Sequence, residues 1–228
     1  MTISTDSHAQ ATWDATYSAA ELEVSVWARL PFVDLAVDTF SALDGAPVLE
    51  LPCGGGRNTV PLARALPSVV GVDVSPGALD LSRRVLARQG IRNCVLLQAD
   101  VGALPFADSI FGGVFCADPL GHLREPRVAL AELLRVSHPQ ARLIVNFFGT
   151  EDSTRIAPGV EVAGADAVLY RNVYFRYDDI AAVRRIIDMP GVRLVSLKQL
   201  RWTEGPHRGY RDYTHEHHGF IAVLERMS

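Results

Sequence analysis

Three acidic residues close three successive apolar runs, and a bare loop follows the first of them. Glu50 ends the run that starts at Val48, Asp73 closes VVGVD, and Asp100 closes CVLLQAD. Between the first two stand Gly54, Gly55 and Gly56. Glycine enters positive φ at no steric cost, so such backbone lets a ligand lie directly against the main chain. A carboxylate at Asp73, about 20 residues past the loop, suits ribose hydroxyls. One at Asp100 suits an exocyclic amine such as that of adenine. Glu50, directed at the space over the loop, would oppose a pyrophosphate and favour a cationic tail. A lone carboxylate at a strand end is more often a cap or a solvated turn, but three at the carboxyl ends of consecutive strands line one crevice.

Two common glycine-loop ligands fit poorly. The phosphate-cradling loop ends in Gly-Lys-Ser/Thr, which does not occur here. A dinucleotide fingerprint built on Gly54 and Gly56 needs a small residue at 59 for close helix packing, and the chain has Thr59.

The elements that must hold these residues alternate. PVLELP precedes RNTVPLARAL, VVGVDV precedes SPGALDLSRRVLARQG, then come CVLLQAD, IFGGVFCAD with REPRVALAELLRVS, and ARLIVNFFG. Apolar strands alternating with helical patterns predict a parallel sheet with helices on both faces. Ser75 is placed to cap the second helix, with Pro76 at its first position and Gly90 past its end. Ala19 to Leu43 reads as helical, with a break at Pro31, and precedes the first strand; Trp27 in it reads as core. Residues 150–177 form a strand-rich insertion ending in AVLYRNVYFRY. DDIAAVRRIID then reads as a helix capped by Asp178, VRLVSLKQLRW as a sixth strand, and HHGFIAVLERM as the last. One domain over 1–228 is expected: a helical lid (1–44), a ligand-binding core (45–150), the insertion, and the rest of the sheet (178–228).

Composition sets the class. With 228 residues, 48% hydrophobic and 21% charged, the chain has enough apolar material for a sizeable core. A net charge of −4 with scattered basic residues argues against a nucleic-acid partner. The N-terminal stretch lacks a secretory pattern and no run reaches the roughly 20 apolar residues of a membrane span, so a cytoplasmic protein without a membrane partner is expected. Cys53, Cys94 and Cys116 are odd in number and far apart, which fits buried reduced thiols.

Taken together these residues resemble the class I S-adenosylmethionine-dependent methyltransferases. Glu50 to Gly56 looks like the family's first motif, Asp73 in GVDVS like its ribose-binding acid, Asp100-Val101 like its adenine-binding pair, and RVSHPQARLIV like the turn into its fifth strand. The resemblance is close over residues 45–150. It implies an α/β, Rossmann-like seven-stranded sheet with helices on both faces and the last strand antiparallel. It also implies S-adenosyl-L-methionine as cofactor, held by Tyr17, Glu50, Pro52, Cys53, Gly54, Gly56, Asp73, Val74, Asp100, Val101 and Asp118. Pro52 departs from the family's glycine and stiffens the loop. The function implied is in-line methyl transfer to a small-molecule acceptor; an anionic acceptor is one option, which rests on Arg211. A non-catalytic cofactor-binding module and a nicotinamide-dependent oxidoreductase are the alternatives.

Residues for the acceptor are sought in two places. Asp118-Pro119 opens like the motif of amino-group methyltransferases, but Leu120 and Gly121 break it; His122 just beyond is a candidate base. A parallel sixth strand would deliver the loop TEGPHRGYRDYTHEHHGF to the cofactor rim. There Arg211 is placed to grip an anion, with His207, Tyr210 or His215 as hydrogen-bond partners or base. Trp13 and Tyr17 close the opposite side. His215 and His217 share a strand face as metal ligands do, but Glu216 points away and no cysteine is near, so no metal is expected.

Overall fold

The computed structural model describes residues 7–18, 29–43, 45–206 and 210–228. Seven strands form one sheet: β1 (Val48–Leu51), β2 (Val69–Asp73), β3 (Cys94–Gln98), β4 (Phe111–Cys116), β5 (Ser137–Phe148), β9 (Val192–Glu204) and β10 (His215–Arg226), in the spatial order β3-β2-β1-β4-β5-β10-β9. All neighbours are parallel except β10, which runs antiparallel to both β5 and β9. The seven-stranded sheet with its antiparallel last strand is therefore as expected, and the sixth strand, β9, does exit on the same rim as β1. Strand order reverses between β1 and β4, which opens a crevice beyond their carboxyl ends.

The pleat sorts the core into two layers. Leu49, Leu51, Val114, Cys116, Leu143 and Val145 pack with Leu130 and Leu133 of α5 (Pro126–Val136) and Val183 and Ile186 of α6 (Ile180–Ile187). Val48, Val69, Phe115 and Ile144 face the other way, against Val33, Ala36 and Phe40 of α2 (Val33–Ser41) and Leu62 of α3 (Thr59–Ala65). Alternate residues of one strand thus serve opposite layers, as a period of two requires. Every residue of β1 and β4 is buried, Glu50 included, which explains why these strands are otherwise free of polar side chains.

Helix α4 (Pro76–Arg88) has the boundary chemistry its sequence announced. Ser75 Oγ accepts from Ala78 N at 3.0 Å, Pro76 opens the helix, and Gly90 follows it at φ +69°. In α6 the expectation is off by one residue. Asp179, not Asp178, caps the helix, accepting from Ala182 N at 2.7 Å, while Asp178 pairs with Arg176 at 2.8 Å.

Two additions cover the crevice. The insertion folds into a separate antiparallel sheet, β6 (Val160–Gly164), β7 (Ala167–Tyr170) and β8 (Val173–Arg176). Arg171 and Asn172, both at positive φ, make the two-residue turn between β7 and β8. The N-terminal helix α1 (Ser7–Ser18) lies between this sheet and α4. Asp14 Oδ1 accepts from Gly77 N (2.7 Å) and Ser75 Oγ (3.0 Å) at the start of α4, and Thr12 Oγ1 donates to Arg171 O at 3.0 Å. Pro31 lies in the turn before α2; residues 19–28 of the expected helical segment, Trp27 among them, lie outside the described residues, and the helix over Ser7–Ser18 lies before the stretch that the pattern singled out. No helix among the described residues is long and apolar enough to cross a membrane.

Candidate active site

The chain leaves β1 through a cis Leu51–Pro52 bond and turns into α3 over the glycine loop. Gly54 sits at φ +52° and Gly56 at +89°. A Cβ on Gly54 would lie 2.7 Å from the Tyr17 hydroxyl oxygen, so α1 closes directly on bare backbone. Burial holds the Tyr17 phenol well above its ordinary range, and it stays neutral.

Asp73, at the end of β2, is buried and clamps this loop. Its Oδ2 accepts from Gly54 N at 2.8 Å and its Oδ1 from Ser75 N at 2.9 Å. Burial lifts its carboxyl to about 6, with the backbone amides pulling against that rise. Each oxygen has two lone pairs, so the carboxylate as a whole keeps acceptor capacity for a ligand hydroxyl beyond its backbone amides.

Around the loop lies a cavity of about 620 Å³, in the range of small-molecule sites. Of the residues expected to hold the cofactor, Tyr17, Pro52, Cys53, Gly54, Gly56, Asp73, Val74, Val101 and Asp118 form its wall; His122 joins them. Trp13, Arg57 and Tyr174 also line it, as do the apolar side chains of Val74, Ala99 and Val101.

Asp118 adopts φ +77°, a conformation uncommon outside glycine, and side chains fix it there. Asn146 Oδ1 accepts from its backbone N at 2.6 Å and Asn146 Nδ2 donates to its Oδ1 at 2.7 Å. Arg57 bridges Asp118 Oδ2 (3.1 Å) and Glu204 Oε1 (3.2 Å). Arg57 and Asn146 were not singled out in the sequence, because their partners come from distant strands.

His122 follows Asp118 in a short 3₁₀ turn (Pro119–His122). Its Nδ1 lies 3.0 Å from the Tyr174 carbonyl oxygen, an acceptor, so Nδ1 carries the proton and Nε2 the lone pair. The ring packs edge-on against Phe175 at 4.6 Å and Trp13 at 5.5 Å. Burial lowers its pKa below 6.5, which keeps the imidazole neutral.

Several expected residues lie elsewhere. Glu50 is buried and does not line the cavity. It shares the face of Val48, so the pleat turns it beneath the loop toward α3, and neither carboxyl oxygen has a hydrogen bond of ordinary geometry. Burial pushes its carboxyl up to about 8, with Thr59 and Arg57 pulling it down; at neutral pH it is protonated and offers no negative charge to a cationic tail. Asp100 is also absent from the wall: its Oδ1 accepts from Gly102 N at 2.7 Å, a local turn, while Val101 beside it faces the cavity.

Tyr210, Arg211 and His215 do not reach the cavity wall either. His215 is buried against Tyr213 and His217, while Tyr210 and Arg211 pack under the insertion, where the Arg211 guanidinium lies 4.9 Å from the ring centres of Tyr170 and Phe175. Its Nε and Nη2 have no hydrogen-bond partner among the described residues. His207 lies outside the described residues.

Residues 48–140 match the model of a family described as methyltransferase domain. That match supports, for this part of the chain, the resemblance to the class I S-adenosylmethionine-dependent methyltransferases. Among similar proteins, a demethylmenaquinone methyltransferase of Renibacterium salmoninarum is 39% identical over 114 residues, covering 50% of this chain and 46% of the relative. An O-methyltransferase, cnsE, of Penicillium expansum is 29% identical over 173 residues, covering 70% and 62%. The chain thus spans about half to three-fifths of the length of these relatives. A structure solved in work on conversion of a disulfide bond into a thioacetal group during echinomycin biosynthesis shares the fold, with a TM-score of 0.75 at 17% identity over 96% of this chain and 92% of the other.

The residues present fit the cofactor of that family. The positive-φ glycines leave room where side chains would intrude, Asp73 keeps acceptor capacity, and Val74, Ala99 and Val101 give an apolar wall for a flat base.

Proposed function

We propose that the protein is an enzyme that methylates a small aromatic acceptor at an ionisable hydroxyl. The carrying observation is His122: a neutral imidazole in the cavity wall, with its proton on Nδ1 and its lone pair on Nε2.

In this reading Asp73 accepts from the ribose hydroxyls, the loop amides and Tyr17 enclose the remainder, and Val74 and Val101 flank the adenine. S-adenosylmethionine, when bound, supplies its electrophilic methyl carbon to the acceptor oxygen, the carbon–sulfur bonding pair staying with sulfur. The protein's task is then alignment of the acceptor at about 3 to 3.5 Å and removal of one proton. The hydroxyl proton passes to His122 Nε2. Trp13 and Tyr174 supply flat surfaces for a ring. Arg211 stands behind Phe175, and its positive charge favours the phenolate over the phenol, which is how an anionic acceptor is served without direct contact in the wall.

The test is turnover with methyl-labelled cofactor and a panel of phenols and quinols. His122→Ala should lower the rate by about 10² to 10⁴, the usual worth of a general base, with cofactor affinity unchanged by calorimetry. A variant that turns over hydroxyl acceptors at the wild-type rate would remove His122 from this role.

A further inference from the structure

A second cluster, outside the cavity, has the makings of a metal site. Glu204 is the last residue of β9 and His215 the first of β10, and the two are paired directly across the ladder. His217, two residues on, shares the face of His215. All three are buried, and one donor atom from each lies within 4.8 Å of the others.

Two hydrogen bonds orient the imidazoles. Asp152 Oδ2 lies 2.8 Å from His217 Nδ1, and the Tyr213 carbonyl oxygen lies 3.1 Å from His215 Nδ1. Both partners are acceptors, so each Nδ1 carries its proton and each Nε2 its lone pair. A carboxylate or carbonyl behind a histidine is the usual support of a metal-binding imidazole. Asp152 is itself held by the backbone amides of Thr154 (2.9 Å) and His218 (3.1 Å).

The third donor is ready. Glu204 Oε1 takes Arg57 and Trp202 Nε1, while Oε2 faces His217 Nε2 at 3.8 Å. Two ligands of a tetrahedral zinc ion stand about 3.3 to 3.4 Å apart, from bonds of about 2.0 to 2.1 Å. The pair needs to close by about half an ångström. In the set bonded together, Asp152, Glu204 and Asp118 are acidic and Arg57 basic, a balance that favours a dication.

We propose that Glu204, His215 and His217 bind a divalent transition-metal ion of the zinc class, with Asp152 orienting His217 and a fourth position left for water. The ion would clasp the exit of β9 to the start of β10, at the base of the loop between them. It would also fix Glu204, whose other oxygen holds Arg57 in the cavity wall.

The experiment is calorimetric titration of tag-free protein with zinc chloride, with cobalt substitution read by its visible d–d bands. One ion per chain is expected. Affinity should fall at least tenfold in His217→Gln and in His215→Ala, and stay unchanged in His138→Ala, which alters an exposed histidine far from the cluster. Because a variant of a buried histidine can fail to fold, imidazole proton resonances of the wild type are followed during the titration. Two of them should shift in step, saturating at one equivalent. Absence of saturable binding to the wild type, equal affinity in folded His215→Ala and His217→Gln, or no shift of imidazole resonances would each overturn the proposal.

Discussion

The carbonyl oxygen of Tyr174, in the inserted sheet, lies 3.0 Å from Nδ1 of His122, in the turn after β4. A peptide group can only accept there, so the insertion dictates which ring nitrogen of His122 offers its lone pair. The same burial that lowers the His122 pKa keeps that lone pair available below pH 6.5.

A pH dependence follows for the acid side of the rate profile. The base must be unprotonated, so turnover rises with pH through the pKa of His122, and that pKa is depressed. The half-maximal point of the acid limb of kcat should therefore fall below 6.5. A limb centred at or above that value would assign the titration to another group.

Asp73→Asn should weaken S-adenosylhomocysteine by tenfold or more. An amide nitrogen cannot accept from Gly54 N or Ser75 N, so one of the two backbone clamps is lost along with an acceptor for the ligand, at about 1 to 3 kcal/mol. Calorimetry checks it. Affinity equal to wild type would show that the ligand does not use this carboxylate.

Glu50→Gln should stabilise the ligand-free protein at alkaline pH. The Glu50 carboxyl is raised from 4.5 to about 8 in the fold, so its unfolded form ionises first. Between those values the unfolded chain binds fewer protons, and stability drains away as pH rises, by up to about 1.4 kcal/mol per pH unit. The glutamine variant lacks this slope. Thermal melts at pH 5 and pH 8 should show a larger fall for the wild type, and parallel falls would contradict the assignment.

Gly54→Ala should loosen α1 as well as weaken cofactor binding. At φ +52° an alanine costs about 1 to 2 kcal/mol, and its Cβ would meet the Tyr17 hydroxyl at 2.7 Å. Trp13, one turn earlier in α1, reports the change by fluorescence. An unchanged Trp13 spectrum with intact cofactor affinity would mean that α1 yields without consequence.

Much of the geometry of the glycine loop was legible from the chain, because its signals are local. The glycines, Asp73 and Ser75 sit within about 20 residues and follow one strand–loop–helix pattern. Glu50 misled because a strand residue's direction depends on which layer its neighbours serve, and Val48 puts that face against α3. Asp100 misled because a carboxylate two residues before an available amide turns back on its own chain. The contacts around His122, Asp118 and His217 were hidden by sequence distance. Tyr174 reaches His122 across 52 positions, Asn146 reaches Asp118 across 28, and Asp152 meets His217 across 65. The loop after β9 does exit on the expected rim, but its described residues Tyr210 and Arg211 fold under the insertion, where aromatic rings shield the guanidinium from water.

Helix α1 is tied through Asp14 to the start of α4 and through Thr12 to the carbonyl of Arg171 in the inserted sheet. The two anchors stand two residues apart, so a strand pair far along the chain and the first turn of α4 are coupled through a short piece of helix, and a shift of either is felt by the other.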